Sequence, residues 1–253
     1  MVLKQKMHWT KRRKNLQTTK KLNKKHPPIS KIVRHNDHHF IILDKAAGVP
    51  TQPDKTGDMS LLQLAEIYCK RRVHAITRLD RPASGLNIFG KIPDDVNYVR
   101  GLIEKEKFEK VYIAIVEGQI EKFENQLEHF LFHNTKSRKA EISEIEKEGY
   151  KDAKLNYELL STTDNYSILK IFIPTGRFHQ IRAQLAHIGH PIKGDVKYGA
   201  RRANKDRSIY LLCYSMKFKV KATGKEIHSF AEINTEDSLW ALTKELLNGG
   251  ESK

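Results

Sequence analysis

The feature that most constrains this chain is the order of its apolar patterns. From Phe40 to Ala231, short strand-type runs outnumber helical ones, and most follow one another directly along the chain. Lys110–Val116 alternates, with Val111, Ile113 and Ile115 on one side and Tyr112 and Ala114 on the other. Phe40–Leu43, Ala75–Thr77, Leu86–Phe89, Gln126–Phe132, Ala153–Leu160 and Ser167–Ile173 predict further strands, as do Ser208–Lys221 and Glu226–Ala231 across a turn at Gly224. Helical spacing marks Leu61–Lys70, Asp94–Phe108 behind Pro93, and Phe178–Ile188 with Gly189 just past its end. A last helix is expected after a Thr235 cap, with Gly249 beyond its end. The charged stretch Lys136–Lys151 predicts a loop or hairpin excursion. Strands that neighbour one another in this way imply an α+β fold around a mixed, largely antiparallel sheet with flanking helices, and exclude a doubly wound one.

Charge narrows the function. The 253 residues carry a formal net charge of +16. Residues 1–30 hold ten Lys or Arg and no acid, and residues 31–253 carry the remaining +6. A basic, mobile N-terminal arm over 1–30 is therefore expected, followed by one folded domain over 31–253. Such a surplus implies a polyanionic partner. The arm lacks the apolar face that an interfacial helix needs, so nucleic acid is favoured over a membrane. The two cysteines, Cys69 and Cys213, have no Cys or His at ligand spacing and predict reduced, buried thiols in a cytoplasmic protein. No run is long and apolar enough for a transmembrane helix, and no secretory leader is visible.

Phosphate-loop, dinucleotide and zinc signatures are absent, so neither a cofactor nor a metal is expected. The cluster His35, His38, His39 lacks a carboxylate or Cys partner at ligand spacing and reads as a solvated polar stretch. Three other segments hold the candidate chemistry. Thr77-Arg78-Leu79-Asp80-Arg81-Pro82-Ala83-Ser84-Gly85-Leu86 places one carboxylate between two arginines on a turn between strands; alone, such a pattern is usually structural. Lys110–Gly118 is a strand containing Tyr112. Thr175–Ala186 brings Arg177, His179, Gln180 and Arg182 to the start of a helix, with His179 and Arg182 on one face. Arg177, Arg182 and the helix start would suit phosphate oxygens.

In this order the three segments resemble the motifs of the RluA-type pseudouridine synthases: R-L-D-x-x-x-S-G-L, K-x-Y-x-A-x-V-x-G, and the long T-G-R-x-H-Q-I-R pattern that continues through Gly189, Pro191, Gly194, Asp195, Tyr198 and Gly199. Asp44-Lys45-Ala46-Ala47-Gly48 is similar to the family's opening strand and turn. Thr77, Ala83 and Ala46 stand where His, Thr and Pro are frequent. The resemblance implies that 31–253 is a catalytic domain, without the S4 RNA-binding domain of many relatives, and that the partner is a structured ribosomal or transfer RNA. It implies no membrane or protein partner, and action as a monomer.

By motif match Asp80 is the catalytic carboxylate, and Tyr112 and Arg182 complete the catalytic set. Arg78, Arg81, Arg177, His179, Gln180 and Lys45 are candidates for RNA contact. A cation beside Asp80 would hold the carboxylate charged and oriented. A tyrosine ring can stack on an extruded uracil while its hydroxyl assists proton transfer at C5. The target base must leave its stack to react. A non-catalytic RNA-binding or chaperone protein on the same fold is the alternative. A uracil-releasing glycosidase would share the carboxylate and the base flipping.

Overall fold

The computed structural model of the chain describes residues 28–250. The basic arm expected over 1–30 thus lies, but for its last residues, outside the described residues. Ile29–Ile32 forms a single helical turn. The unit that follows begins at Val33. It contains β1 (Val33–Asn36), β2 (Phe40–Lys45), a helix α1 (Leu61–Cys69), β3 (His74–Ala75), β4 (Ser84–Gly90) and α2 (Pro93–Glu104). Next come β5 (Glu109–Glu117), β6 (Glu124–Asn134), β7 (Lys139–Ser143), β8 (Lys151–Thr162), β9 (Tyr166–Phe172) and α3 (Gln180–His187). It closes with β10 (Leu211–Lys219), β11 (Glu226–Phe230) and α4 (Ser238–Gly250).

Among the described residues all eleven strands join one sheet in the order β1-β2-β4-β10-β5-β9-β8-β6-β7, with β11 on β10 and β3 on β4. Most pairs are antiparallel, as the sequence order implies. The pair β4–β10 runs parallel. This is the expected α+β architecture with a mixed, largely antiparallel sheet. Residue type follows depth. β2 is buried at every position and reads as a continuous apolar run, while β6 and β8 alternate between core and solvent. Burying one such apolar side chain stabilises the fold by about 1.5–3 kcal/mol, so register is firmly set in the central strands.

The charged Lys136–Lys151 stretch is a hairpin excursion, one of the two forms expected, with β7 paired to β6. Several boundaries differ from the sequence expectation. The final helix is capped by Asp237, not Thr235: Asp237 Oδ1 accepts from the amides of Leu239 and Trp240 at 3.0 and 3.1 Å. Gly249 lies inside this helix rather than beyond it. The helix expected from Phe178 starts at Gln180, because His179 takes a left-handed backbone at φ 53°. Cys213 is buried, but Cys69 is only partly so.

Candidate active site

The loop between β3 and β4 carries Asp80, and its position follows from one glycine. β4 opens against β10 with Ser84 beside Leu212 and Gly85 beside Cys213; Cys213 in turn lies beside Tyr112 of β5. Gly85 sits at φ +106°, and a Cβ there would lie 2.3 Å from the Cys213 carbonyl oxygen. Only glycine lets the chain drop onto β10 at that point. The loop is pinned from below as well. The Lys45 ammonium, 1% exposed, donates to the carbonyls of Ala46, Val49, Arg81 and Ala83 at 3.2, 3.0, 3.2 and 2.5 Å. Burial pushes this ammonium down to about 7, against the pull of Asp80. The Ile209 amide donates to the Pro82 carbonyl at 3.0 Å, closing the loop from the other side.

Arg182, in the first turn of α3, reaches Asp80. Its Nε and Nη2 donate to the two oxygens of Asp195 at 2.6 and 2.8 Å, a two-pronged pair with both residues almost fully buried. The remaining arm, Nη1, donates to Asp80 Oδ2 at 2.8 Å. Burial alone would lower the Arg182 pKa; the bonds to Asp195 and Asp80 outweigh it and hold the guanidinium above its ordinary value. The side chain of Asp80 is 25% exposed. Among the described residues no donor bonds its Oδ1.

His179 approaches the same carboxylate, with Nε2 at 3.6 Å from Asp80 Oδ2. Burial pushes its imidazole down to about 4; Asp80 pulls it back up, while Arg182, Lys197 and His133 act with burial. It is therefore neutral at neutral pH and its contact with Asp80 is dipolar. The Ala140 amide donates to Tyr198 Oη at 2.7 Å, and the same oxygen is hydrogen-bonded to His179 Nδ1 at 2.8 Å, which fixes the ring with Nε2 facing Asp80. Phe178 stacks on His179 at a centroid distance of 3.8 Å and on His133 at 3.7 Å. A non-glycine residue held at positive φ beside these groups is backbone strain stored at the site.

Tyr112 is 6% exposed. Burial, then the neighbouring Cys213 thiol and Asp80, raise its pKa well above the ordinary phenol value, so it stays protonated. Cys213 is pushed up to about 12 by burial and is a neutral thiol.

The other sequence candidates divide. Arg78 is exposed and makes no ion pair among the described residues. Arg81 donates to Asp54 and Thr56 at 3.1 and 2.9 Å and pairs with Asp58, tying down the loop that precedes α1. Arg177 donates to the carbonyl and carboxylate of Asp152 on β8 at 2.8 and 3.0 Å. Gln180 and Lys45, expected to contact RNA, are both buried and hydrogen-bonded within the protein itself. Gln180 Oε1 accepts from Thr175 Oγ1 and the Arg177 amide, both at 2.9 Å, while its Nε2 donates to the Lys154 carbonyl at 2.8 Å. Asp195 was not a site candidate although it lies in the third motif; an acid following Gly194 in a turn-like stretch gives no sign of facing Arg182.

His35 and His39 are taken by Asp37 and Asp95 at 2.9 and 2.8 Å. One group of possible metal ligands exists among the described residues: His129, Glu144 and His187, whose ligand atoms lie within 4.8 Å of one another. Gln184 Nε2 stands 3.0 Å from His129 Nδ1 and donates to the carbonyls of Leu127 and Ala153 at 3.2 and 3.0 Å. The group is a clasp between α3 and the hairpin, with His187 paired to Glu144 at 2.5 Å.

Arg182 thus divides its three arms between a buried carboxylate, Asp195, and a partly exposed one, Asp80. Residues 39–187 match the family described as RNA pseudouridylate synthase. The chain belongs to that family and is an RNA pseudouridine synthase, an isomerase that modifies RNA. It is 29% identical over 192 residues to a protein of Vibrio parahaemolyticus named tRNA pseudouridine synthase C, covering 70% of this chain and 77% of that one. It is 29% identical over 197 residues to ribosomal large subunit pseudouridine synthase D of Borreliella burgdorferi, covering 74% of this chain but 60% of that one. Human RNA pseudouridylate synthase domain containing 4 shares the fold, with a TM-score of 0.68 at 18% identity over 87% of this chain and 94% of that one. No helix among the described residues is long and apolar enough to cross a membrane.

Proposed function

We propose that Asp80 carries the isomerisation, on a uridine flipped out of a structured transfer or ribosomal RNA, and that the chain acts as a cytoplasmic monomer without a cofactor. The reaction breaks C1′–N1, turns the uracil, joins C1′ to C5, and moves the C5 proton off while N1 gains one. Atoms and electrons balance without an oxidant or an energy source. The observation that carries the reading is the Arg182 fork. Asp195 holds two of its arms, so the third presents itself to Asp80 in one orientation and leaves Asp80 Oδ1 for the substrate. Neutral His179 faces the same oxygen as Arg182 without competing for charge. Tyr112, a phenol across the neutral range, offers a ring against the uracil and a hydroxyl that donates rather than a phenolate that accepts. Arg78 is the cation best placed to meet RNA phosphates. Arg81 and Arg177 can do so only while keeping, or exchanging, their bonds to Asp54 and Asp152.

The test is nucleoside analysis of unmodified transfer-RNA and large-subunit ribosomal-RNA transcripts after incubation with the protein or with Asp80→Asn. Pseudouridine from the native chain alone, with RNA affinity retained in the variant, is the expected result. Pseudouridine at the normal rate from Asp80→Asn overturns the role of that carboxylate. Free uracil would indicate a glycosidase instead, and RNA binding without any product a non-catalytic protein.

A further inference from the structure

A second cleft, of about 410 Å³, lies between β9, the end of β5 and the segment that follows Asp195. Lys193, Arg201, Arg202 and Lys205 line it together with Glu117 and Tyr166. Its floor is built. The Lys193 amide donates to Ile115 O at 2.9 Å, and the Lys193 carbonyl accepts from the Tyr210 amide at 3.0 Å. The Lys193 ammonium stands 3.7 Å from the centroid of Tyr210 and 5.8 Å from that of Tyr166. Asn204 accepts from this ammonium at 3.3 Å and donates to Ser208 O at 2.8 Å, folding the segment back on itself. At Gly194, φ +88°, a Cβ would come within 2.3 Å of Asn204 Nδ2 and 2.7 Å of Ser208 O, so the turn needs a glycine.

The lining is rich in cations and short of anions. Glu117, its one carboxylate, is taken by the amide and Nε of Arg201 at 3.1 and 3.2 Å. Arg202 and Lys205 are exposed and make no ion pair among the described residues. The nearby acids are occupied: Asp206 accepts from Ser208 at 3.0 and 2.7 Å, and Asp237 caps α4. The cleft is also joined to the site at both ends. Asp195, two residues after Lys193, clamps Arg182, and Ile209 bonds Pro82 beside Asp80.

We infer that this cleft binds a backbone phosphate of the substrate RNA away from the reacting uridine, with Arg202 and Lys205 as outer contacts and Lys193 as the inner one. This rests on the RNA reading above. An anion seated there would offset the burial that depresses the Lys193 pKa.

The test compares Arg202→Glu/Lys205→Glu with a control of equal charge change, Lys221→Glu/Lys225→Glu, on the hairpin turn at the far end of β10. The probe is a fluorescein-labelled 20-mer of poly(U), titrated across salt concentrations. The cleft variant should bind more weakly than the control, and its slope of log affinity against log salt should fall by about 0.7, one single-strand phosphate contact. Equal slopes for the cleft variant and the native chain, or equal losses in both variants, overturn the inference. Displacement of tripolyphosphate without any change in poly(U) binding overturns it in favour of a free polyphosphate site. If the native chain makes no pseudouridine yet poly(U) binding depends on the cleft, the reaction fails and the cleft stands. If pseudouridine forms and the cleft variant binds normally, the reverse holds.

Discussion

Arg182→Lys keeps the charge and removes the fork. In the native chain three guanidinium arms serve two carboxylates, two of them on Asp195 and one on Asp80. A single ammonium cannot hold that geometry on both. If lysine stays with Asp195, Asp80 loses a charge-assisted bond worth about 1.5–3 kcal/mol. Converted at about 1.4 kcal/mol per tenfold, and with the carboxylate free to wander by an ångström, the chemical step slows by about 10- to 100-fold. If lysine turns to Asp80, Asp195 is left 2% exposed without its partner, and breaking a buried pair costs about 3–5 kcal/mol of stability. Activity or stability must therefore fall. The assay is single-turnover pseudouridine formation at saturating RNA, run beside urea unfolding, with Asp195→Asn as the companion. The companion should keep more stability than a change that leaves Asp195 charged and alone, while slowing the reaction by loosening the fork. A near-native rate together with unchanged stability in Arg182→Lys would refute the claim that the fork positions Asp80.

Lys45→Met should destabilise the chain by about 2–4 kcal/mol, because buried carbonyls lose their donor, and should lower kcat with little change in KM for RNA; a raised KM with unchanged kcat would restore the RNA-contact reading. Between pH 6.5 and about 4 the unfolded chain takes up a proton that folded His179 refuses, so stability should drop as pH falls through that window, and urea titrations of His179→Asn should show a flatter acid limb. His129, whose pKa burial also lowers, acts in the same direction and remains in the variant. Deleting residues 1–27 removes ten cations and should flatten the salt dependence of RNA affinity without moving the modified uridine, as site mapping on both proteins would check.

The strands were legible where burial writes a pattern into the sequence. β6 and β8 lie close to where the sequence puts them because their two faces meet core and solvent in turn, and β5 and β9, central in the sheet and mostly buried on both faces, because their residues form a largely apolar run. β1 was missed because Val33-Arg34-His35-Asn36 is a short edge strand with little apolar content. Asp80, Tyr112 and Arg182 were marked by motif, and the geometry brings Arg182 onto Asp80. What residue type could not tell was the direction of a side chain. Lys45 and Gln180 have the letters of RNA-binding residues, yet both are turned inward and hold backbone carbonyls or amides. Arg81 and Arg78 flank the same aspartate, but only Arg78 is left without an ion-pair partner among the described residues. Such distinctions depend on contacts between segments dozens of residues apart, which local pattern does not encode.

The least legible element explains why the site exists where it does. In a sheet where half of the strand pairs join sequence neighbours, β4 and β10 pair across more than a hundred residues and form the one parallel pair among the described strands. Antiparallel neighbours place the loops that precede them at opposite ends of the sheet; parallel neighbours place them side by side. The loop before β4 carries Asp80 and the segment before β10 carries Asp195, so this one pairing brings the two acids to the same edge, where Ile209 bonds Pro82 and Arg182 spans both carboxylates. β5, antiparallel to β10, adds Tyr112 beside Cys213. Gly85 is the residue on which the arrangement turns, since its missing Cβ is what allows the strands to meet. Local periodicity could not reveal a parallel pair of such long range. The same pairing carries the Lys193–Lys205 segment to the flank of the site, which is why a cleft for a distant RNA phosphate and the carboxylate proposed to react are parts of one edge of the sheet.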